Sequence, residues 1–333
     1  MDMATTEKVK IPLKWRLKAW WEGYDIEELK ARIRDRMLLS DDPHGVGAGT
    51  SSEFDTRDDE TLITSDKKVV RLPWDDARME IAQLIWGDGY CGPGGPDHII
   101  AMSKLLAMSP KMSAVVIGAG LGGPARALAQ EFGVWITGYE AAEPLAIKGM
   151  ELSTMAGLQK KAPITHFDPA SSETFERTFD RAFSKEASFT VEDKAGLYKN
   201  VEHNLKKDGL FLISDYVLSD DSLIDNGDVK DWIAQEPLKP HPCSHQTMEQ
   251  DLKDAGFVIR VNEDITDMYM NMISQAWAGA DKVIAKLAED GPDSRNVIDT
   301  LLREAEFWTR RTRLMEQGHL KVWRFLASKP TVI

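Results

Sequence analysis

Residues Val115–Glu140 read VVIGAGLGGPARALAQEFGVWITGYE. A hydrophobic strand runs into Gly118-x-Gly120-x-x-Gly123; a helix, a second strand and the acidic Glu140 are expected to follow. Glycines let the backbone turn sharply and approach a ligand, and the helix N-terminus supplies free N–H groups. An acid closing the second strand can accept hydrogen bonds from ribose hydroxyls, and Glu140 stands 17 residues after Gly123. The stretch therefore predicts a nucleotide-bearing cofactor at the C-terminal edge of a parallel sheet.

Outward from this loop, strands and helices alternate from Ser113 onward. Strands are expected at Ala114–Ile117, Val134–Gly138, Pro163–Phe167, Arg181–Ser184, Leu210–Ser214, Val258–Asn262 and Leu320–Ala327, with helical stretches between the first six. This pattern predicts an α/β fold, Rossmann-like and doubly wound, with a mostly parallel seven-stranded sheet. Before the loop, WDDARMEIAQLIWG reads as a helix with an apolar face of Ile81, Leu84 and Ile85, followed by the turn GDGYCGPGGPDH; together they form an N-terminal helical lid. A helical cap insertion rich in Met and Trp is expected at about 265–318, its stripe reading as core. The folded domain spans 69–333. Residues 40–68 are acidic, Gly/Ser-rich and aperiodic, a flexible linker, and residues 1–39 form a basic, Trp-rich arm.

The 333 residues are 42% hydrophobic and 29% charged, as in a soluble globular protein, and can bury a substantial core. A net charge of −13 excludes nucleic acid as an expected partner. No apolar run reaches the roughly 20 residues that span a bilayer, and no leader-like segment opens the chain, which predicts a cytoplasmic location. Two cysteines, Cys91 and Cys243, give no disulfide framework. The N-terminal arm, with Lys8, Lys10, Lys14, Arg16 and Lys18 around Trp15, Trp20 and Trp21, suits either peripheral contact with an anionic membrane or packing on the body or on a second subunit of a homodimer.

The glycine loop alone is shared by flavin, nicotinamide and S-adenosyl-L-methionine (SAM) enzymes. Residues 179–218, FDRAFSKEASFTVEDKAGLYKNVEHNLKKDGLFLISDYVL, separate them. They resemble the fourth and fifth strands of class I SAM-dependent methyltransferases, with Leu-Lys-x-x-Gly before a strand ending in Asp-Tyr. The similarity extends over about residues 74–262 to the small-molecule branch that includes phosphoethanolamine and sarcosine/dimethylglycine N-methyltransferases. LIWGDGYCGPGGPDHI looks like that branch's lid turn. The resemblance implies SAM as cofactor and methyl transfer to a small-molecule amine or hydroxyl. It places Gly118 and Gly120 at the methionine part, Glu140 at the ribose, Asp168 and Pro169 at the adenine, Lys185 at a basic cofactor contact, and Cys91 and Gly92 in the lid. Asp168 also reads as a helix N-cap in DPASSE, and Glu143 as a first-turn helix acid.

Two departures stand out: Trp74 and Thr190 occupy positions where phosphoethanolamine methyltransferases have a Tyr–His pair. Tyr216 matches a substrate-contacting tyrosine, and Trp74, Tyr90, Tyr216 and Trp232 are candidates for the acceptor pocket, where rings can enclose an ammonium. A hydroxyl acceptor calls for a general base, for which His241, His245 and Tyr216 are candidates. The His-x-Cys-x-His spacing of His241, Cys243 and His245 lacks a distant fourth ligand, so no metal is expected. Two other functions remain open from sequence: a methyltransferase-fold binding or regulatory protein without catalysis, and a flavin- or NAD-dependent oxidoreductase.

Overall fold

A computed structural model describes residues 73–168, 174–280 and 295–330, all within one compact unit, Arg71–Ile333. The N-terminal arm, the linker and Pro169 lie outside the described residues.

The seven expected strands are present: β1 Ser113–Ile117, β2 Trp135–Glu140, β3 Ile164–His166, β4 Phe179–Lys185, β5 Leu205–Leu218, β6 Val258–Asp264 and β7 Leu320–Ser328. Their order is β3-β2-β1-β4-β5-β7-β6. β1 to β5 run parallel, while β7 pairs antiparallel with both β5 and β6. The usual dinucleotide-binding order is 3-2-1-4-5-6, all parallel; here an antiparallel strand is wedged in at the far side. β1 is buried along its length apart from Ser113, as expected of a central strand covered on both faces.

Nine helices are present among the described residues: α1 Asp76–Trp86, α2 Gly95–Ser103, α3 Gly123–Phe132, α4 Glu143–Met155, α5 Lys194–Asn204, α6 Gly227–Gln235, α7 His245–Asp254, α8 Thr266–Trp277 and α9 Arg295–Glu316. On one face of the sheet, Tyr198, Val201, Phe211, Ile213, Leu252 and Phe257 form a continuous core under α5 and α7. Beyond the other face, α1 meets the cap helices α8 and α9 through three tryptophans. The Trp86 ring lies 4.6 Å from Trp308 and 6.3 Å, edge-on, from Trp277.

One expectation differs from the structure, and another, the helix between β3 and β4, falls partly outside the described residues. In α1, whose N-cap Asp75 accepts from the Arg78 N–H, Leu84 is 48% exposed. The buried residues are Arg78, Met79, Ile81, Ala82 and Trp86, because the helix turns its i, i+4, i+8 row toward α9. Between β3 and β4 the described residues contain no helix. Phe167 and Phe175 instead pack on Tyr139 at 4.7 and 5.2 Å, holding this connection against the end of β2.

Trp86→Ala should cost about 3–5 kcal/mol of unfolding free energy, the range for truncating a buried large aromatic. Denaturant titration measures this directly. A loss below about 1 kcal/mol would mean that the three-tryptophan contact does not join lid to cap.

Candidate active site

The site lies at the C-terminal ends of β1, β2 and β4. The chain leaves β1 through Gly118, which takes φ +68°. A Cβ there would sit 2.3 Å from that of Ala187, so only glycine lets the β1 and β4 loops come together. At the end of β2, Glu140 turns back onto the loop. Its two carboxylate oxygens accept from the Gly120 N–H at 2.7 Å and the Ala142 N–H at 2.9 Å. Burial raises the Glu140 pKa, and the backbone donors at Ala142 and Gly120 work against that rise.

Gly123 serves a different contact. Its N–H donates to the Gly89 carbonyl at 2.9 Å, and the Tyr90 hydroxyl donates to the Gly123 carbonyl at 3.3 Å. A Cβ on Gly123 would lie 2.4 Å from the Gly89 oxygen. The third glycine of the motif therefore docks the lid turn onto the loop. In the same turn, Cys91 packs near Gly120, and burial pushes its thiol up to about 12. Burial likewise carries the Tyr90 hydroxyl to about 12, so both stay protonated at neutral pH.

These elements enclose a cleft of about 1100 Å3, counted out to its open mouth. Of the residues expected in the site, Gly118, Gly120, Glu140, Lys185, Cys91, Gly92, Trp74 and Tyr90 line it. Thr190 also lines it. Asp168 is exposed and is not among the lining residues. Tyr216 and Trp232 are buried one layer behind: Tyr216 donates to Glu186 at 3.3 Å, and Trp232 Nε1 donates to Glu236 at 3.2 Å.

His241 and His245 do not reach the cleft. His241 is exposed, its backbone N–H donating to the Phe189 carbonyl at 2.7 Å. His245 opens α7 and stacks on Trp323, ring centroids 3.9 Å apart. No group of three or more His, Cys, Asp or Glu side chains among the described residues could hold a metal.

The cleft's other wall was not anticipated residue by residue. Glu304, Phe307, Trp308 and Arg311 project into it from α9 at helical i, i+3, i+4, i+7 spacing, a face that EAEFWTRR encodes. Arg78 pairs with Glu304, and its guanidinium lies 4.1 Å from the Trp74 ring centroid. Arg311 pairs with Glu236 at 2.9 Å. Burial alone would lower the Arg311 pKa, but Glu236, Tyr216 and Glu186 together outweigh it and the net shift is upward. Glu186, at a left-handed φ of +53°, also lines the cleft and pairs with Lys185.

Beneath the β4 loop, the buried Asp215 accepts from the backbone N–H groups of Ser188 at 2.6 Å and Phe189 at 3.2 Å, and from the Ser188 hydroxyl. This fixes the turn that presents Phe189 and Thr190 to the cleft.

No family model matches the chain. In sequence it is similar to phosphoethanolamine N-methyltransferase 1 of Arabidopsis thaliana, 25% identical over 62% of this chain and 41% of the relative. It is also similar to cycloartenol-C-24-methyltransferase 1 of Oryza sativa subsp. japonica, 28% identical over 51% of this chain and 50% of that one. The chain thus spans half or less of the length of these curated relatives. Among solved structures, Haemonchus contortus phosphoethanolamine N-methyltransferase 2, in complex with S-adenosyl-L-methionine, superposes with TM-score 0.68 at 21% identity, covering 81% of this chain and 61% of that one. A putative sarcosine dimethylglycine methyltransferase from Galdieria sulphuraria gives 0.63 at 20% identity over 78% and 98%.

Burial pushes the Asp215 carboxyl up to about 6, against the opposing pull of its hydrogen bonds. The folded protein therefore holds this proton between about pH 4 and 6, where an unfolded chain releases it. Stability from this group is greatest below about pH 4 and falls as pH rises to about 6. In urea melts from pH 4 to 7, Asp215→Asn should gain on the wild type as pH rises; a pH-independent difference would contradict this. In sequence the chain is similar to curated methyltransferases, and its fold is that of a solved methyltransferase in complex with S-adenosyl-L-methionine.

Proposed function

We propose that this protein binds S-adenosyl-L-methionine and transfers its methyl group to a small-molecule acceptor bearing an amine or hydroxyl. One observation carries the reading: Glu140, buried and facing the cleft, already ties the glycine loop to the end of β2. Its two carboxylate oxygens offer about four lone-pair sites; backbone N–H groups of Ala142, Gly120 and Ala141 use three of them, which leaves acceptor capacity for a ribose hydroxyl. The residues present therefore fit this cofactor. Glu140 would hold its ribose, Gly118 and Gly120 its amino-acid part, and Cys91 and Gly92 would cover it; Asp168 and Pro169 are assigned to the adenine end. When bound, the cofactor supplies a methyl group on a cationic sulfur.

The chain's own residues then orient the acceptor and exclude water, the main tasks in an in-line displacement by an already activated donor. Glu186 is the proton-holding candidate. It lines the cleft between the Lys185 ammonium and the Tyr216 hydroxyl, whereas His241 and His245 stand outside. Residues 69–333 are assigned as the methyltransferase domain, with α8 and α9 as its cap. The reading locates the protein in the cytoplasm, and no helix among the described residues is long and apolar enough to cross a membrane. The arm 1–39 is assigned to contact with an anionic lipid surface or with a second copy of the chain.

A second reading, binding without transfer, is favoured by Trp74 and Thr190: both line the cleft, and the family resemblance sets them at the positions of a Tyr–His pair.

Glu140→Ala should weaken SAM binding by about 1–3 kcal/mol, the scale of a lost charge-assisted hydrogen bond. Calorimetric titration of variant and wild type checks this, and unchanged affinity would remove Glu140 from the ribose.

A further inference from the structure

Arg126, three residues into α3 after Gly123, stands behind the glycine loop. It is half-buried and does not line the cleft, yet three elements that do line it meet on its guanidinium. Nη1 donates to the Leu121 carbonyl of the loop at 3.0 Å, and to the Gly149 carbonyl and Ser153 hydroxyl of α4, each at 3.4 Å. Nη2 lies against the lid turn, where a Cβ on Gly89 would come within 2.0 Å of it. Gly89 takes φ +83°, so glycine there serves both the turn and the guanidinium. On α4, Leu145, Gly149 and Ser153 form one buried row at i, i+4, i+8 spacing. Leu145 borders the cleft, a Cβ on Gly149 would sit 3.1 Å from the Gly120 carbonyl, and Ser153 reaches Arg126.

All of these acceptors are neutral. Burial disfavours the charge of Arg126 and lowers its pKa. An apolar side chain of the same length would cover the same helix surface without that cost. What the guanidinium adds is geometry, because its donors are fixed in one rigid plane and can hold separate segments together. Leu121, Gly89 and Leu145 all line the cleft, so a shift of the guanidinium would move three parts of its wall.

We propose that Arg126 is a positioning residue for the cofactor, fixing the placement of the glycine loop, the lid turn and α4 relative to one another. This deepens the methyltransferase reading and rests on it for the identity of the ligand. Without the guanidinium, binding has to order these segments itself, so affinity falls while the fold persists.

The test uses the full chain and two variants. Arg126→Met keeps the length of the stem without donors, and Arg126→Lys keeps a cationic donor. Without ligand, amide hydrogen exchange in peptides covering residues 87–92 and 118–123 should be at least threefold faster in Arg126→Met than in the wild type, with residues 205–218 unchanged. Its melting temperature should stay within about 5 °C of the wild type. In calorimetric titrations with S-adenosylhomocysteine (SAH), Arg126→Met should bind at least tenfold more weakly, and Arg126→Lys less than threefold more weakly. Unaltered exchange in both peptides overturns the proposal, as does SAH affinity of Arg126→Met within twofold of the wild type. A lysine variant as weak as the methionine one overturns the hydrogen bonds as its basis. An Arg126→Met chain that does not fold assigns the residue to stability and overturns the positioning role. Failure of the wild type to bind SAH overturns the methyltransferase reading instead, and the exchange rates then decide separately whether Arg126 holds the loop and lid.

Discussion

The carboxylate of Glu140 holds the site together. It bridges the amide of Gly120, in the loop after β1, and that of Ala142, ahead of α4. Burying a carboxylate is costly unless donors surround it, and here two backbone amides offset that cost at short distance. The glycine loop is thereby shaped in advance of any ligand, so binding need not order it. The loop in turn seats the lid, because Gly123 receives Gly89 and Tyr90 only where no side chain intervenes. A single acidic residue thus links strand, loop and lid in one chain of contacts.

Opposite that chain, the cap supplies a wall of rings and paired charges. Buried ion pairs add little net stability, but removing one partner strands a charge. Arg78–Glu304 ties the lid helix α1 to the cap helix α9, and Arg311–Glu236 ties α9 to the end of α6. Both pairs border the cleft, so the same contacts that fasten the cap also set its electrostatics. The glycine loop repeats a known pattern; the opposite wall depends on α9, outside the 74–262 stretch that carries the family resemblance.

Much of the sheet was legible in the sequence because buried parallel strands are short apolar runs between helices with clear punctuation. β1 and the glycine loop are the plainest case. Leu84 misled because apolar spacing marks a helix face without saying which neighbour covers it; α1 presents Arg78, Ala82 and Trp86 to a helix more than two hundred residues away. The histidines misled for a related reason. His241 and His245 sit in a stretch of suggestive composition, yet His241 is exposed, His245 stacks on Trp323, and neither lines the cleft. Phe307, Trp308 and Arg311 share a helical face, but only long-range packing reveals that this face lines the same cleft as the glycine loop. Local chemistry could be read directly, whereas contacts between distant segments could not.

The central claim is that the loop held by Glu140 is a SAM loop. The most direct measurement is a calorimetric titration of the purified protein with SAM and SAH, preceded by an absorbance spectrum. The account predicts a colourless protein that binds both with micromolar affinity and a stoichiometry of one. A yellow protein, or one that binds neither ligand, would contradict it.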